Sequence, residues 1–141
     1  MQLANANKNL LYGENNMRFL LIIDMQEDYM GEKRNKKKFP YDTKKLIDNV
    51  NHKINSYSKE YVVYIKNQFF WESPKREKSL SKEMNVISKQ IFTKRNPNAF
   101  KNIQFANFLK KKNVTELEII GIDGNYCVRA TAIAASKTGY E

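Results

Sequence analysis

From Arg18 to Asp24 the chain reads RFLLIID, an unbroken aliphatic run closed by an acid. A run without polar alternation predicts a parallel strand covered on both faces. The next stretch, DMQEDYMGEKRNKKKFPYD, is polar and broken by Gly31 and Pro40, which predicts a long loop. In TKKLIDNVNHKINSYSK the apolar positions Leu46, Ile47, Val50, Ile54 and Tyr57 return at helical spacing, with Thr43 placed to cap the first turn. YVVYIKNQFF at 61–70 predicts a second strand, followed by a loop holding Pro74. Leu80, Met84 and Ile87 then suggest a short helix, and QIFTKR at 90–95 a short strand.

NPNAF reads as a turn, and NIQFANFLKKKN as a helix with Ile103, Ala106 and Leu109 inward and lysines at its C-terminal end, where the helix dipole favours them. ELEIIGID at 116–123 repeats the buried-strand pattern. NYCVRATAIAASKTG then forms an alanine-rich helix that Gly139 ends. Strands alternating with helices imply right-handed crossovers, a parallel sheet and a three-layer α/β/α domain. Residues 1–16 are asparagine-rich and without period, so they read as an extension, and 17–141 as the folded domain.

Composition narrows the picture. In 141 residues, 41% are hydrophobic and 12% aromatic, enough for one packed core. The net charge of +10 raises nucleic acid as a partner. The basic residues cluster as KRNKKK at 33–38 and KKK at 110–112, with no interleaved aromatics and no phosphate-binding glycine loop. That pattern is a solvated surface, with at most a secondary attraction for anionic substrates. Neither a nucleic acid nor a membrane is expected as a partner. The Phe19–Ile23 run is too short to span a bilayer, and a lone cysteine fits a reducing, cytoplasmic setting.

That cysteine, Cys127, falls just after a strand-to-helix turn, where unpaired backbone N–H groups and the helix dipole favour a thiolate. Ligands of an open parallel sheet bind at the carboxyl ends of its strands. Asp24 ends the first strand, Lys94 the third, and Cys127 follows the fourth, so all three can meet on one rim. A single cysteine after a strand is more often a small buried hydrophobe than a nucleophile, and a closing aspartate is often a turn or capping residue. The residues alone leave both readings open.

Three blocks, LLIIDMQEDYM at 20–30, FTKRNPNAF at 92–100 and EIIGIDGNYCVRATAIAASKTGY at 118–140, resemble the signature blocks of the isochorismatase-like cysteine hydrolases, in that family's order and across 17–141. The resemblance implies a Rossmann-like fold and a Cys127–Asp24–Lys94 triad. It implies attack of the thiolate on a small amide or ureido carbonyl, and a thioester that water resolves. It also implies a non-proline cis peptide between Ile122 and Asp123, with the N–H groups of Asp123 and Cys127 as the oxyanion hole. Phe69, Phe70 and Trp71 at the end of the second strand, with Asn125 and Tyr126 in the turn, are the candidate substrate contacts, and core packing is an equal reading for the two Phe. Asp28 and Tyr29 are weaker candidates.

Where the chain departs from the pattern, expectations change. Gly124-Asn125 stand where many members carry Thr-Asp. Nicotinamidases of the family hold a metal through an Asp and histidines after the second strand, but YIKNQFFWESP has no histidine, and the only one, His52, lies in the first helix. No metal and no other cofactor is therefore expected. The family also continues past TGYE with further strands, so the resemblance implies a C-terminally short member whose last strand is an open edge. A homo-oligomer is one way to cover that edge. A catalytically silent truncated member, or an interaction module, is the alternative to an active hydrolase.

Overall fold

In a computed structural model, residues 16–122 and 126–141 are described. The 1–16 extension, apart from Asn16, lies outside them. So do Asp123, Asn125 and the Ile122–Asp123 bond.

Four strands form one parallel sheet in the order β3-β2-β1-β4. They are β1 (Arg18–Ile23), β2 (Val62–Asn67), β3 (Ile91–Lys94) and β4 (Glu116–Gly121). The helices are α1 (Glu27–Met30), α2 (Thr43–Asn55), α3 (Ile103–Lys111) and α4 (Cys127–Thr138). The aliphatic runs are continuous because both faces of the sheet are covered. Leu20, Ile22, Val62 and Tyr64 face one way, onto Ile47, Val50 and Ile54 of α2. Phe19, Leu21, Ile23, Val63 and Ile65 face the other way, with Phe105 and Leu109 of α3 and Cys127 of α4. This is the three-layer α/β/α arrangement that the hydrophobic pattern predicts. No helix among the described residues is long and apolar enough to cross a membrane.

Several local expectations are corrected. The cap of α2 is Asp42, whose carboxylate accepts the Lys45 N–H at 3.1 Å; Thr43 is already inside the helix. Within α3, Ile103 is 72% exposed and Phe105 takes the inward place. The loop after β1 contains the single-turn helix α1. Residues 80–87 form no helix, because their backbone donors are taken by groups elsewhere. Ser81 N–H bonds the Met25 carbonyl, Lys82 N–H the Glu27 carboxylate, Asn85 N–H the Asn51 side chain and Ile87 N–H the Tyr64 hydroxyl. A segment whose N–H groups are satisfied by partners outside itself gains nothing by coiling.

Sheet order positions the site. The chain runs from β1 outward through β2 to β3, then returns to the opposite side of β1 as β4. The crevice at such a reversal, beyond the carboxyl ends of β1 and β4, is where an open α/β sheet accepts ligands. Gly121 lets the two strands approach there. A Cβ at this position would lie 2.5 Å from the Ile23 carbonyl oxygen and 2.9 Å from a Val128 methyl.

Candidate active site

The carboxyl ends of β1, β2 and β3 and the first turn of α4 bring Asp24, Asn67, Lys94 and Cys127 into one cluster. Asp24 extends β1 by one residue, its N–H bonding the Ile65 carbonyl, and then leaves the strand with φ 63°. A non-glycine residue in the left-handed region is uncommon and is held there by its surroundings. Asn67 and Lys94 are register partners across β2 and β3. Lys94 is only 1% exposed. Its Nζ donates to Asn67 Oδ1 at 2.9 Å and to Cys127 Sγ at 3.2 Å, and lies 3.3 Å from Asp24 Oδ1. Burying an ammonium costs several kcal/mol unless it is paired and hydrogen-bonded, and this one is both.

Asn67 was not singled out by the sequence. Its amide donates to the Tyr29 hydroxyl at 3.0 Å, and its backbone is clamped by the buried Gln26 through two further bonds. Burial, together with Asp24 and Asp28, raises the Tyr29 hydroxyl to about 12, so it stays protonated at neutral pH. The only signal for Asn67 was its place at the end of a strand, which many polar residues share.

The thiol departs from expectation. Cys127 is the first residue of α4, where the dipole favours a thiolate, yet its pKa is pushed up to about 11. Burial is the largest cause, and the Asp24 charge adds to it through space and by accepting the thiol's hydrogen bond; Lys94 opposes both and loses. The resting side chain is therefore a thiol hydrogen-bonded to a carboxylate, not a preformed thiolate.

A cavity of about 390 Å³ opens onto this cluster, with Asp24, Tyr29, Asn67 and Cys127 on its wall. Its mouth is aromatic. Phe69 and Trp71 stack at 4.4 Å and 6°, Phe70 meets Trp71 edge-on, and Tyr126 is 60% exposed. Phe70 is 75% exposed, so core packing does not account for it. Phe39 and Tyr41 complete the aromatic lining from the loop after α1, and neither was anticipated. Asp28 is turned away to Lys78, and His52 lies exposed on α2. The segment after β2 does not fit a metal: it has no histidine, and Glu72 is committed to Lys78 and the Phe69 N–H.

The family model of the isochorismatase domain matches residues 18–141. Among solved structures, an isochorismatase family protein is 23% identical with a TM-score of 0.72, the match covering 87% of this chain and 74% of that one. The N-carbamoylsarcosine amidase of Thermoplasma acidophilum is 18% identical with a TM-score of 0.70, over 88% of this chain and 78% of its own. The nicotinamidase of Staphylococcus aureus is 18% identical with a TM-score of 0.62, over 89% and 77%. At these identities the likeness establishes the fold. No curated protein matches the sequence significantly.

Proposed function

Since the chain belongs to the isochorismatase family, we propose that it is a cysteine hydrolase of small amides or ureides, with Cys127, Asp24 and Lys94 as its triad. The observation that carries this reading is the contact of the buried Lys94 Nζ with both Cys127 Sγ and Asp24 Oδ1 at the wall of an open cavity. Two neighbours known by their activity, an amidase and a nicotinamidase, support C–N cleavage as the reaction class.

The raised thiol pKa shapes the mechanism. Asp24 accepts the thiol proton as sulfur attacks the carbonyl carbon, so the thiolate exists only in the act of attack. The carbonyl π electrons move onto oxygen, and the Cys127 N–H, which has no acceptor within the first turn of α4, donates to that oxyanion. Asp123 is the second donor of the reading. Collapse breaks the C–N bond, and Asp24 returns its proton to the departing nitrogen. Water, deprotonated by Asp24, then attacks the thioester; the C–S bond breaks and the sulfur regains its proton. Lys94 keeps Asp24 ionised and in place throughout. Aromatic walls make the cavity suited to a flat substrate.

Ammonia release from a panel of small amides and ureides, together with intact-mass detection of an acyl adduct on Cys127, tests the proposal. Cys127→Ala should abolish both signals while the circular dichroism spectrum stays unchanged. Turnover that survives this substitution overturns the covalent mechanism. One observation favours a second reading, a catalytically silent interaction module: β4 is an edge strand whose Leu117 and Ile119 are only half-buried. Folded wild-type protein inert to the whole panel would support it.

A further inference from the structure

One buried hydroxyl on the cavity wall takes no part in the triad chemistry. Tyr29, in the single turn of α1, is 9% exposed, packs its ring on Phe39 with centroids at 5.0 Å, and lines the cavity beside Asp24, Asn67 and Cys127. The direction of its proton follows from Lys94. An ammonium can only donate a hydrogen bond, so the Asn67 atom 2.9 Å from Lys94 Nζ is the amide oxygen. The amide nitrogen is then the atom 3.0 Å from the Tyr29 oxygen, and an amide nitrogen also only donates. Tyr29 is therefore the acceptor in that bond, and its own O–H is left to donate elsewhere.

No acceptor for that O–H stands among the described residues. The two carboxylates whose charges reach it are engaged elsewhere, Asp28 with Lys78 and Asp24 with Lys94 and the Cys127 thiol. The placement is rigid. The buried Gln26 side chain donates to the Asn67 carbonyl at 3.0 Å and accepts the Asn67 N–H at 2.8 Å, while the Gln26 carbonyl accepts the Tyr29 N–H at 3.0 Å. One residue thus fixes both partners of the Asn67–Tyr29 bond. A buried donor without an acceptor is costly, and in a native fold it calls for an explanation.

We propose that Tyr29 is a specificity-determining residue whose hydroxyl donates to an uncharged oxygen or nitrogen of the substrate, away from the scissile amide. The acceptor is neutral because the charges of Asp24 and Asp28 both bear on this hydroxyl and repel an anion there. The inference rests on the hydrolase reading for the identity of the reacting group, and the two can fail separately. The test titrates Cys127→Ala protein by calorimetry with meta- and para-acetylbenzamide and with their isopropenyl counterparts, in which a methylene replaces the ketone oxygen at nearly the same shape. One acetyl isomer should bind about fivefold more tightly than its counterpart, as a neutral hydrogen bond implies. In a Tyr29→Phe background that advantage should vanish while affinity for the isopropenyl compound holds, a pattern that loss of fold would not produce. Asn67→Asp is the second check. Its carboxylate accepts from Lys94 and Tyr29 alike, so the hydroxyl turns back from the cavity and the advantage should vanish with the ring still in place. Equal affinity within both pairs, no binding by any of the four compounds, or an advantage that survives either substitution overturns the proposal. Ammonia release from the four compounds by wild-type protein reads the hydrolase activity on its own: turnover without the acetyl preference removes the Tyr29 role alone, and the preference without turnover removes the hydrolase reading alone.

Discussion

At the residue scale the site turns on which effect wins at one sulfur. The position of Cys127 at the start of α4 favours the thiolate, while burial and Asp24 favour the thiol and prevail. Alkylation of Cys127 by iodoacetamide should therefore rise with pH toward a midpoint near 11, not at the ordinary value of about 8.5. Asp24→Asn removes a negative charge and an acceptor, so the midpoint should fall, while kcat drops about a hundred- to ten-thousand-fold with the loss of general base. Lys94→Met should move the midpoint the other way. It also takes the counter-ion from a buried carboxylate, which should cost about 3–5 kcal/mol in denaturant unfolding. A midpoint near 8.5 in wild-type protein would contradict the buried-thiol account. Stability carries the same signature. The folded thiol keeps its proton to a higher pH than the unfolded one, so stability should decline as pH rises from about 8.5 toward 11, and less steeply in Cys127→Ala.

The elements decide how closely those residues can meet. Asp24, Asn67 and Lys94 sit at strand ends because β1, β2 and β3 run parallel and in register, with Ile23 opposite Ile65 and Asn67 opposite Lys94. Gly121 sets the approach of β4 to β1 and of α4 to the sheet. Gly121→Ala should cost about 1–3 kcal/mol in denaturant unfolding, since backbone must shift to admit the methyl group. It should also lower kcat, because the strand displaced is the one that leads into the Cys127 turn. An unchanged unfolding midpoint would show that the strands yield easily there. Element types were legible where one face alternates with another or a whole run is aliphatic, as in β1, β2, β4 and α2. They were not legible at 80–87, where Leu80, Met84 and Ile87 have helical spacing but their backbone donors are bound by Asn51, Tyr64 and the 25–27 segment.

At the scale of the whole molecule, the sheet is closed by α2 on one face and by α3 and α4 on the other, but β4 has a strand on one side only. Residues 140–141 lie against that edge. Glu141 N–H bonds the Thr115 carbonyl and Leu117 N–H bonds the Glu141 carbonyl, the pattern of a parallel bridge, while Tyr140 stacks on Phe100 with ring centroids at 5.7 Å. Removing residues 139–141 deletes both bonds and the ring contact. The expected loss is about 2–3 kcal/mol, summing modest net hydrogen bonds and one aromatic pair, read as a lower unfolding midpoint. No change would mean that the segment contributes nothing to the fold.

Local pattern was enough to determine the parallel α/β architecture, because continuous apolar runs and helical spacing report burial residue by residue. It also brought Asp24, Lys94 and Cys127 under suspicion, since strand ends of such a sheet share a rim. Tertiary structure alone decided the rest: that Asn67 joins the cluster, that Phe39 and Tyr41 line the cavity beside it, and that the thiol keeps its proton. The reason is that charge and hydrogen bonding act through space. Cys127 titrates according to a lysine 33 residues away in the chain, and Lys94 is seated by an asparagine 27 residues away. Spacing along a sequence carries no record of such distances.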